Sequence, residues 1–307
     1  DGKSYLDYDA EEIKRKFTIG TSIAPIPYKD YKINVLDTSG HPDFICDTLS
    51  TMQAAEMALF VVDAVAGPQV MTTKLWREAE GMRLSRAVFI NHIDREHADF
   101  DVAMATLHAR FGSRLGPVTI PIGQDADFKG VIDIIRMEAR YFGEGDDSER
   151  VEPIPAEFAD AAQAARDKLC DLVAEADDEL MMKYLEGEEQ LTQDELESLL
   201  DKAIAQELFI PVFVGSTIIK QGIQGLMEDI CTYFPHPRSH GRFQMADGTS
   251  IPIDETNRPA AFAFKTLSDP FVGRLSFLKV LSGVLEPGME LINARTGKKE
   301  RLGHLYV

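Results

Sequence analysis

The sequence predicts an α/β fold with a doubly wound, mostly parallel sheet. Short apolar runs rich in Val, Ile and Phe alternate with segments of helical period, and most of these runs are apolar without interruption. Parallel strands covered by helices on both faces have this composition, and their alternation with helices favours right-handed crossovers. The predicted strands are residues 31–37, 58–64, 87–92, 117–123 and 210–216. The predicted helices between them are residues 43–56, 70–83, 98–111 and 222–233.

An acidic segment at about residues 155–206 interrupts this alternation. It is rich in Ala and Leu and has a helical period throughout. Thr192 and Glu195 form a capping-box pattern, which predicts the start of its last helix. We therefore expect a helical insertion between two strands of the sheet.

The composition changes again near residue 240. Residues 235–241 read PHPRSHG, which is typical of a linker, and runs that alternate apolar and polar residues follow them. Period-two alternation indicates antiparallel β structure. We expect an α/β domain over residues 1–240 and the start of a second, β-rich domain over residues 241–307.

The composition also excludes several classes of protein. The chain has 307 residues, enough for two domains, and no apolar run approaches the roughly 18–20 residues that cross a bilayer. Its 3 cysteines lie far apart without disulfide or metal-ligand spacing, and no signal-peptide pattern is present, so we expect a cytoplasmic protein without a membrane partner. The formal net charge of −19 repels phosphate backbones, which argues against non-specific nucleic-acid binding and sequence-specific DNA binding.

Polar residues follow three of the predicted strands at the point where each strand ends. The three clusters are DTSGHPDF (37–44), FINHID (89–94) and VFVGST (212–217). Each cluster alone is explained more simply as a turn, a loop or a helix cap. In an open α/β sheet, however, ligands bind outside the carboxyl ends of the strands. Taken together, D-x-x-G, then N-x-x-D, then a turn of small and hydroxyl residues is the order found in guanine-nucleotide-binding proteins.

The chemistry of a guanine nucleotide accounts for each cluster. Asp37 can hold Mg²⁺ through a water molecule, and the N–H of Gly40 can approach a γ-phosphate. Asp94 can accept both N1–H and N2–H₂ of guanine, a pair of donors that adenine does not offer. The third cluster, whose turn can direct a backbone N–H at guanine O6, contains Gly215, Ser216 and Thr217.

With these motifs in place, the chain resembles translation elongation factor G over nearly its full length. DTSGHPDF resembles the switch II sequence of that family, and VVDAVAGPQ (61–69) resembles the stretch that follows it. NHID resembles the N-K-x-D motif, and IPVFVGST resembles the strand that ends in the guanine-contacting S-A turn. Residues 121–139 resemble a segment of the family's G domain, and the segment that begins IPAEFADAAQAARDKL resembles its helical insertion. Residues 264–291 resemble the opening of its second, β-barrel domain.

The resemblance implies a GTPase G domain that takes GTP or GDP and Mg²⁺ as ligands. Switch I would cover about residues 8–25 and switch II residues 37–50, followed in the chain by a partial β-barrel domain over 241–307. Thr18 would ligate Mg²⁺, and Asp37 would hold it through water. His41 would orient the attacking water once the ribosome positions it. The guanine base would be bound by residues of the second and third clusters: Asn91, His92, Asp94, Gly215, Ser216 and Thr217.

The implied function is GTP hydrolysis that drives ribosomal tRNA–mRNA translocation in the cytoplasm. The implied partners are the ribosome, including the stalk proteins that face the helical insertion in the family. Two alternatives stay open. The first is an elongation factor G paralogue or a ribosome-protection protein with an altered role. The second is a non-catalytic module that docks on the ribosome through its acidic insertion.

The chain departs from the family pattern at several positions. No P-loop motif G-x-x-x-x-G-K-[ST] occurs in it; in the family the motif lies just upstream of the position where this chain begins, so we expect a fragment that binds GTP weakly and does not hydrolyse it alone. His92 replaces the Lys of N-K-x-D, Ser39 replaces a Pro of switch II, and Pro42 follows His41. Lys16 and Phe17 stand where the family usually has Gly-Ile.

Overall fold

The computed structural model describes residues 4–142, 149–186, 191–244, 248–269 and 273–306. Two predicted segments therefore lie partly outside the described residues: the helical insertion at 187–190 and the β-domain resemblance at 270–272. The chain divides into two compact units, Asp1–Phe234 and Pro235–Val307.

The first unit carries all the described α-helices and most of the described strands. Its helices are α1 (Ala10–Arg15), α2 (Ile45–Met52), α3 (Val70–Gly81), α4 (Phe100–Phe111), α5 (Ala159–Ala174), α6 (Asp178–Glu186), α7 (Gln193–Ala205) and α8 (Ile223–Tyr233). Its strands are β1 (Ser22–Tyr28), β2 (Tyr31–Asp37), β3 (Met57–Asp63), β4 (Ser85–Asn91), β5 (Leu115–Pro117), β6 (Thr119–Ile122), β7 (Gly130–Asp133), β8 (Glu138–Phe142), β9 (Glu149–Glu152) and β10 (Ile210–Val214).

A parallel sheet in the order β3-β4-β10-β5 forms the centre of this unit, which confirms the predicted fold class. Every residue of β4 and β10 is buried, as their continuous Val, Ile and Phe composition predicts. Because side chains alternate along a strand, Phe89 and Val88 point to opposite faces. Phe89 joins the core that includes Leu199 of α7. Val88 joins the core that includes Trp76 of α3.

The predicted strand 31–37 does not belong to this parallel sheet. It forms β2 and pairs along its full length with β1 in an antiparallel hairpin, from Ser22↔Asp37 to Tyr28↔Tyr31. The two strands are joined by a two-residue turn in which Lys29 adopts φ 50. Positive φ is what the tight turns of such hairpins require, and a turn of this length imposes antiparallel pairing. Among the described residues, the hairpin forms a sheet of its own.

The predicted strand 117–123 is two strands. β5 runs parallel to β10, whereas β6 pairs antiparallel with β7 in a second sheet of order β6-β7-β8-β9. Val118 is the residue at the corner: its N–H donates to the Val212 carbonyl (3.0 Å), and its carbonyl accepts from Ile134 N–H (2.9 Å). Its backbone groups thus serve two different sheets, and the apolar pattern runs across the corner without interruption.

The helical insertion contains α5, α6 and α7, and it lies between β9 and β10. The capping box at Thr192 is confirmed. Its Oγ1 accepts from Glu195 N–H (3.3 Å), and its own N–H donates to Glu195 Oε2 (2.9 Å). The antiparallel sheet that precedes the insertion was not predicted.

The second unit is built of antiparallel pairs. The strands are β11 (Arg242–Gln244), β12 (Ser250–Pro252), β13 (Ala260–Asp269), β14 (Gly273–Ser282), β15 (Glu290–Ile292) and β16 (Lys299–Arg301). They pair β11 with β12, β13 with β14 and β15 with β16. The alternating sequence pattern correctly predicts this pairing mode.

Candidate nucleotide site

The second and third polar clusters meet at the carboxyl edge of the parallel sheet. Asn91, at the end of β4, accepts a hydrogen bond from Thr217 N–H through its Oδ1 (3.0 Å). Its Nδ2 donates to Thr217 Oγ1 (3.1 Å). A single buried amide therefore holds together two loops that are 126 residues apart in sequence. These bonds engage the Thr217 N–H, so it does not point freely to a base.

Gly215 is required where these loops meet. A Cβ there would lie 2.2 Å from the Gln221 carbonyl oxygen and 2.9 Å from the Phe89 ring. The approach is close because Ser216 and Gln221 exchange two backbone hydrogen bonds of 3.0 and 2.9 Å. The loop is thus closed into a tight turn, and only glycine fits at its base.

Several buried polar atoms around the same loops have no hydrogen-bond partner among the described residues. They are Asp94 Oδ1, Ser216 Oγ and Gln221 Oε1. Such atoms are uncommon in folded proteins, because a buried polar group without a partner costs about 1–3 kcal/mol. An acceptor at Asp94 fits the donors on the Watson–Crick edge of guanine. The residues present therefore fit a guanine base.

His92 is fixed by a carboxylate at the end of the neighbouring strand. Its Nδ1 lies 2.9 Å from Asp63 Oδ2, which also accepts from Arg95 (2.7 Å). Partial burial would raise the pKa of Asp63, but hydrogen bonds from two backbone N–H groups, His92 and Arg95 outweigh it and lower the pKa to about 2. The ring of His92 is thus oriented by an ionised acid.

Asp63 is the residue of this site that the sequence analysis missed. It stands beside Asn91 in the register of β3 and β4. The signal that could have found it is the one used for the other clusters, an acid at the carboxyl end of a buried strand.

The first cluster lies near the segment predicted as switch I. The hydroxyl of Thr18 donates to Asp7 Oδ1 (2.9 Å). Burial, and then the negative charge of Asp7, raise the pKa of Asp37. Nearby, buried Glu12 accepts from the N–H groups of Ile19 (2.8 Å) and Gly20 (3.0 Å). The structure thus brings both predicted Mg²⁺ residues into one acidic neighbourhood, although the described residues hold no group of three or more His, Cys, Asp or Glu that could bind a metal.

His41 packs against Phe17, in the segment predicted as switch I. Its ring stacks on the ring of Phe17, with centroids 5.3 Å apart and planes 14° apart. The ring of Phe44 is tilted relative to that of His41, with centroids 5.7 Å apart. Its Nδ1 accepts from Asp43 N–H (3.3 Å), so the histidine caps the short helical turn Pro42–Phe44.

Two departures in the switches have local structural explanations. Buried Ser39 accepts from His41 N–H through Oγ (3.2 Å), a bond that proline in its place would not make. Lys16 ends α1 at φ 62, the left-handed conformation that glycine adopts most easily.

The predicted residues therefore form two groups. One contains Asn91, His92, Asp94, Gly215, Ser216 and Thr217 at the edge of the parallel sheet. The other contains Thr18, Asp37, Gly40 and His41 with the hairpin and α2. Asn91 and Thr217 bond directly within the first group, whereas the members of the second group contact neighbouring residues such as Asp7 and Phe17. No hydrogen bond or ring contact of the described residues joins one group to the other.

Comparison with known proteins decides the family. The family model for the Elongation factor Tu GTP binding domain matches residues 1–236. The chain belongs to the translational GTPase family. The whole chain is also similar to a crystal structure of a protein from Thermus thermophilus, with a TM-score of 0.86 and 30% sequence identity over 100% of this chain. The chain spans 43% of the length of that protein. No helix among the described residues of the GTPase chain is long and apolar enough to cross a membrane.

Proposed function

We propose that the protein is a GTP-hydrolysing translation factor of the elongation factor G type, which binds the ribosome and drives tRNA–mRNA translocation. The observation that supports it best is the loop junction of Asn91 and Thr217 beside the unpartnered Asp94 Oδ1. This arrangement suits selection of guanine over other bases. The family match and the motifs for phosphate and water support the rest.

The guanine base is bound by one group of residues. Asp94 accepts N1–H and N2–H₂, which pairs the unpartnered oxygen. Asn91 does not need to touch the base, because its amide already fixes the two loops that enclose it. Asp63 orients His92 so that the ring can lie along the purine face in place of a lysine stem.

The phosphate end belongs to the second group. Thr18 and Asp37 would hold Mg²⁺, which supplies charge neutralisation at the β- and γ-phosphates when it is bound. The acidic neighbourhood of Asp37 favours a cation there, because a positive charge reverses the repulsion from Asp7. Gly40 offers an N–H to the γ-phosphate. His41, whose ring stacks on Phe17, orients the attacking water.

The activity is tested with the intact protein by measuring GTP and ATP hydrolysis with and without ribosomes. We expect ribosome-stimulated hydrolysis of GTP and none of ATP. His41→Ala should lower the stimulated rate by at least about 100-fold, because general acid–base positioning contributes about that much or more. His304→Ala, at an exposed histidine of the second unit, is the matched control and should keep the wild-type rate.

A docking module would give a different result. Ribosome binding that persists without nucleotide hydrolysis, and that His41→Ala leaves unchanged, would contradict the proposal. A toeprinting assay of tRNA–mRNA movement then separates a translocase from a paralogue with an altered role, because a paralogue hydrolyses GTP without advancing the mRNA.

A further inference from the structure

A depression of about 420 Å³ lies on the outer surface of α3 and α4, on the solvent side of these helices. We call it the cationic groove. Its lining residues are Val70, Thr73, Lys74, Arg77, Glu78 and Arg110. The α3 members recur at helical spacing, so they form one stripe along the exposed face, opposite buried Trp76 and Ala79. None of these residues belongs to the candidate nucleotide site.

The charge of this groove is opposite to that of the chain as a whole. The groove contains three cations, Lys74, Arg77 and Arg110, and one acid, Glu78, so its net charge is positive. The formal net charge of the chain is −19. Among the described residues, no carboxylate pairs with any of these three cations. The polar contact of Arg110 is to the hydroxyl of Thr73 (3.2 Å). Three cations without acidic partners in so acidic a protein are available to an external anion.

The walls of the groove are held in place from beneath. Trp76 is 3% exposed and stacks on Phe111 with ring centroids 4.1 Å apart and planes 20° apart. Phe60 of β3 lies against the same tryptophan at 5.0 Å. These contacts fix the end of α4 beside α3. Arg110 precedes Phe111, and its guanidinium reaches the stripe that carries Lys74 and Arg77 through the hydrogen bond to Thr73 (3.2 Å).

We propose that the cationic groove binds the phosphate backbone of RNA. The proposal rests on the proposed function, since the ribosome is the partner that would present such a backbone. Guanidinium groups match phosphate oxygens in a bidentate geometry, and lysine adds a point charge. Lys74 and Arg77 are separated by about 4.5 Å along the axis of α3, with Arg110 on the second wall, so a strand lying between the helices meets cations on both sides.

The charge of the groove favours a polyanion such as RNA. Three of its six lining residues are cations, carried by both helices, and Val70 is the one lining side chain without a polar group. A strand with one phosphate per nucleotide can contact cations on both walls along its length. The net charge of the chain repels RNA elsewhere, so RNA contacts are expected to concentrate where cations are unpaired.

The test is fluorescence anisotropy of the purified protein with a labelled single-stranded RNA of mixed sequence, titrated over a range of NaCl concentrations. The groove variant combines Lys74→Gln, Arg77→Gln and Arg110→Gln. The control variant combines Lys32→Gln, Lys129→Gln and Lys168→Gln, which removes the same charge at exposed positions of the same unit. Circular dichroism and GDP binding are measured for both variants, because neither change touches the nucleotide site.

We expect the groove variant to bind RNA at least about tenfold more weakly at low salt, with a salt slope smaller by about 2 units, because each phosphate contact contributes about 0.7 to the slope for a single strand. The control variant should stay within about twofold of the wild type. Equal weakening of both variants, absence of RNA binding by the wild type, or displacement of RNA by poly-glutamate at equal charge concentration would overturn the proposal. If the intact protein binds RNA but does not hydrolyse GTP, the proposed function is contradicted and the RNA-binding proposal is not.

Discussion

Asn91 ends β4 and Asp94 lies three residues further along, in the loop that follows. Asn91 has a structural role, whereas Asp94 is available to a ligand. The amide of Asn91 has partners on both of its polar atoms, so it stabilises the junction of the loops whether or not a ligand is bound. Asp94 keeps a buried oxygen without a partner among the described residues. Folding does not explain such a group, whereas a ligand with matching donors does.

Asp94→Asn should change the base preference of the intact protein. The carboxylate accepts two hydrogen bonds from guanine, whereas an amide offers one acceptor and one donor. Xanthine carries a carbonyl where guanine has its amino group, so the amide can pair with it. We expect the affinity for GDP to fall by at least about tenfold, as expected for loss of a hydrogen bond to a charged group, and the affinity for xanthosine diphosphate to rise. Isothermal titration with both nucleotides measures this.

The exposed acid Asp101, in the first turn of α4, provides the control, and Asp101→Asn should leave both affinities unchanged. If the Asp94 variant loses affinity for GDP and for xanthosine diphosphate equally, the residue stabilises the fold of the loop and does not recognise the base.

Ion pairs connect the β1–β2 hairpin to the remainder of the first unit. The Nζ of Lys29, in the hairpin turn, lies 3.0 Å from Oε1 of Glu228 in α8. Glu228 also accepts from Arg140 of β8 (2.8 Å). Arg140 in turn contacts Asp133 and Glu149. Since the hairpin pairs with no other described strand, these contacts and those of Thr21 with α2 position the element that carries Asp37.

Glu228→Gln should destabilise the protein at neutral pH and have a smaller effect in acid. Burial would raise the pKa of Glu228, but hydrogen bonds from Arg140 and Lys29 outweigh it and lower the pKa to about 2. A lowered pKa means that the pair stabilises the fold above the ordinary value of 4.5 and that this stability is lost as the pH falls towards about 2. We expect a loss of about 1–3 kcal/mol at neutral pH.

Urea unfolding of wild type and variant at several pH values measures that difference. The difference should shrink steadily below about pH 4.5, where Glu228 begins to protonate in the unfolded chain. Glu157→Gln, at an exposed acid, should show no such trend. A difference that stays constant from neutral to acid pH would show that the ion pairs of Glu228 contribute nothing to stability.

At the scale of the whole molecule, net charge dominates. With 51 acidic residues against 32 basic ones, the folded chain concentrates negative charge that the unfolded chain spreads out. Self-repulsion therefore opposes folding, and salt screens it. The Debye length falls from about 30 Å to about 8 Å between about 0.01 M and about 0.15 M ionic strength.

The thermal midpoint should therefore rise with NaCl over that range. Differential scanning fluorimetry at fixed pH measures the rise. The variant that combines Lys32→Gln, Lys129→Gln and Lys168→Gln is more acidic and should show a larger rise than the wild type. A midpoint that falls as NaCl is added would indicate that individual ion pairs outweigh the net charge.

Much of the fold could be predicted because its patterns are local. The helices at residues 70–83, 98–111 and 222–233 and the capping box at Thr192 follow from periodicity and from side chains within a few residues of each other. The hairpin was not predicted although its strands are neighbours in sequence, because β1 reads SIAPIPY and proline is uncommon in strands. The corner at Val118 could not be predicted, since the backbone partners of Val118 lie far along the chain. A run of apolar residues has the same sequence pattern whether its residues belong to one sheet or to two.

The candidate site also has a part that the sequence predicts and a part that it does not. Motif spacing singled out Asp37, Asn91 and Asp94, because the residue types that bind a nucleotide are few, and the family resemblance added His41. It did not reveal that Asp63 orients His92 or that Phe17 stacks on His41. Those contacts join segments that only the folded chain brings together.

The sequence by itself determined the fold class, the order of the polar clusters and the acidic character of the chain, because composition and short-range spacing encode them. Only the tertiary structure decided which clusters touch, which buried oxygens lack a partner within the described part of the chain, and where three cations gather without a paired acid there. Each of these depends on distances between atoms remote in sequence, and such distances are set by packing.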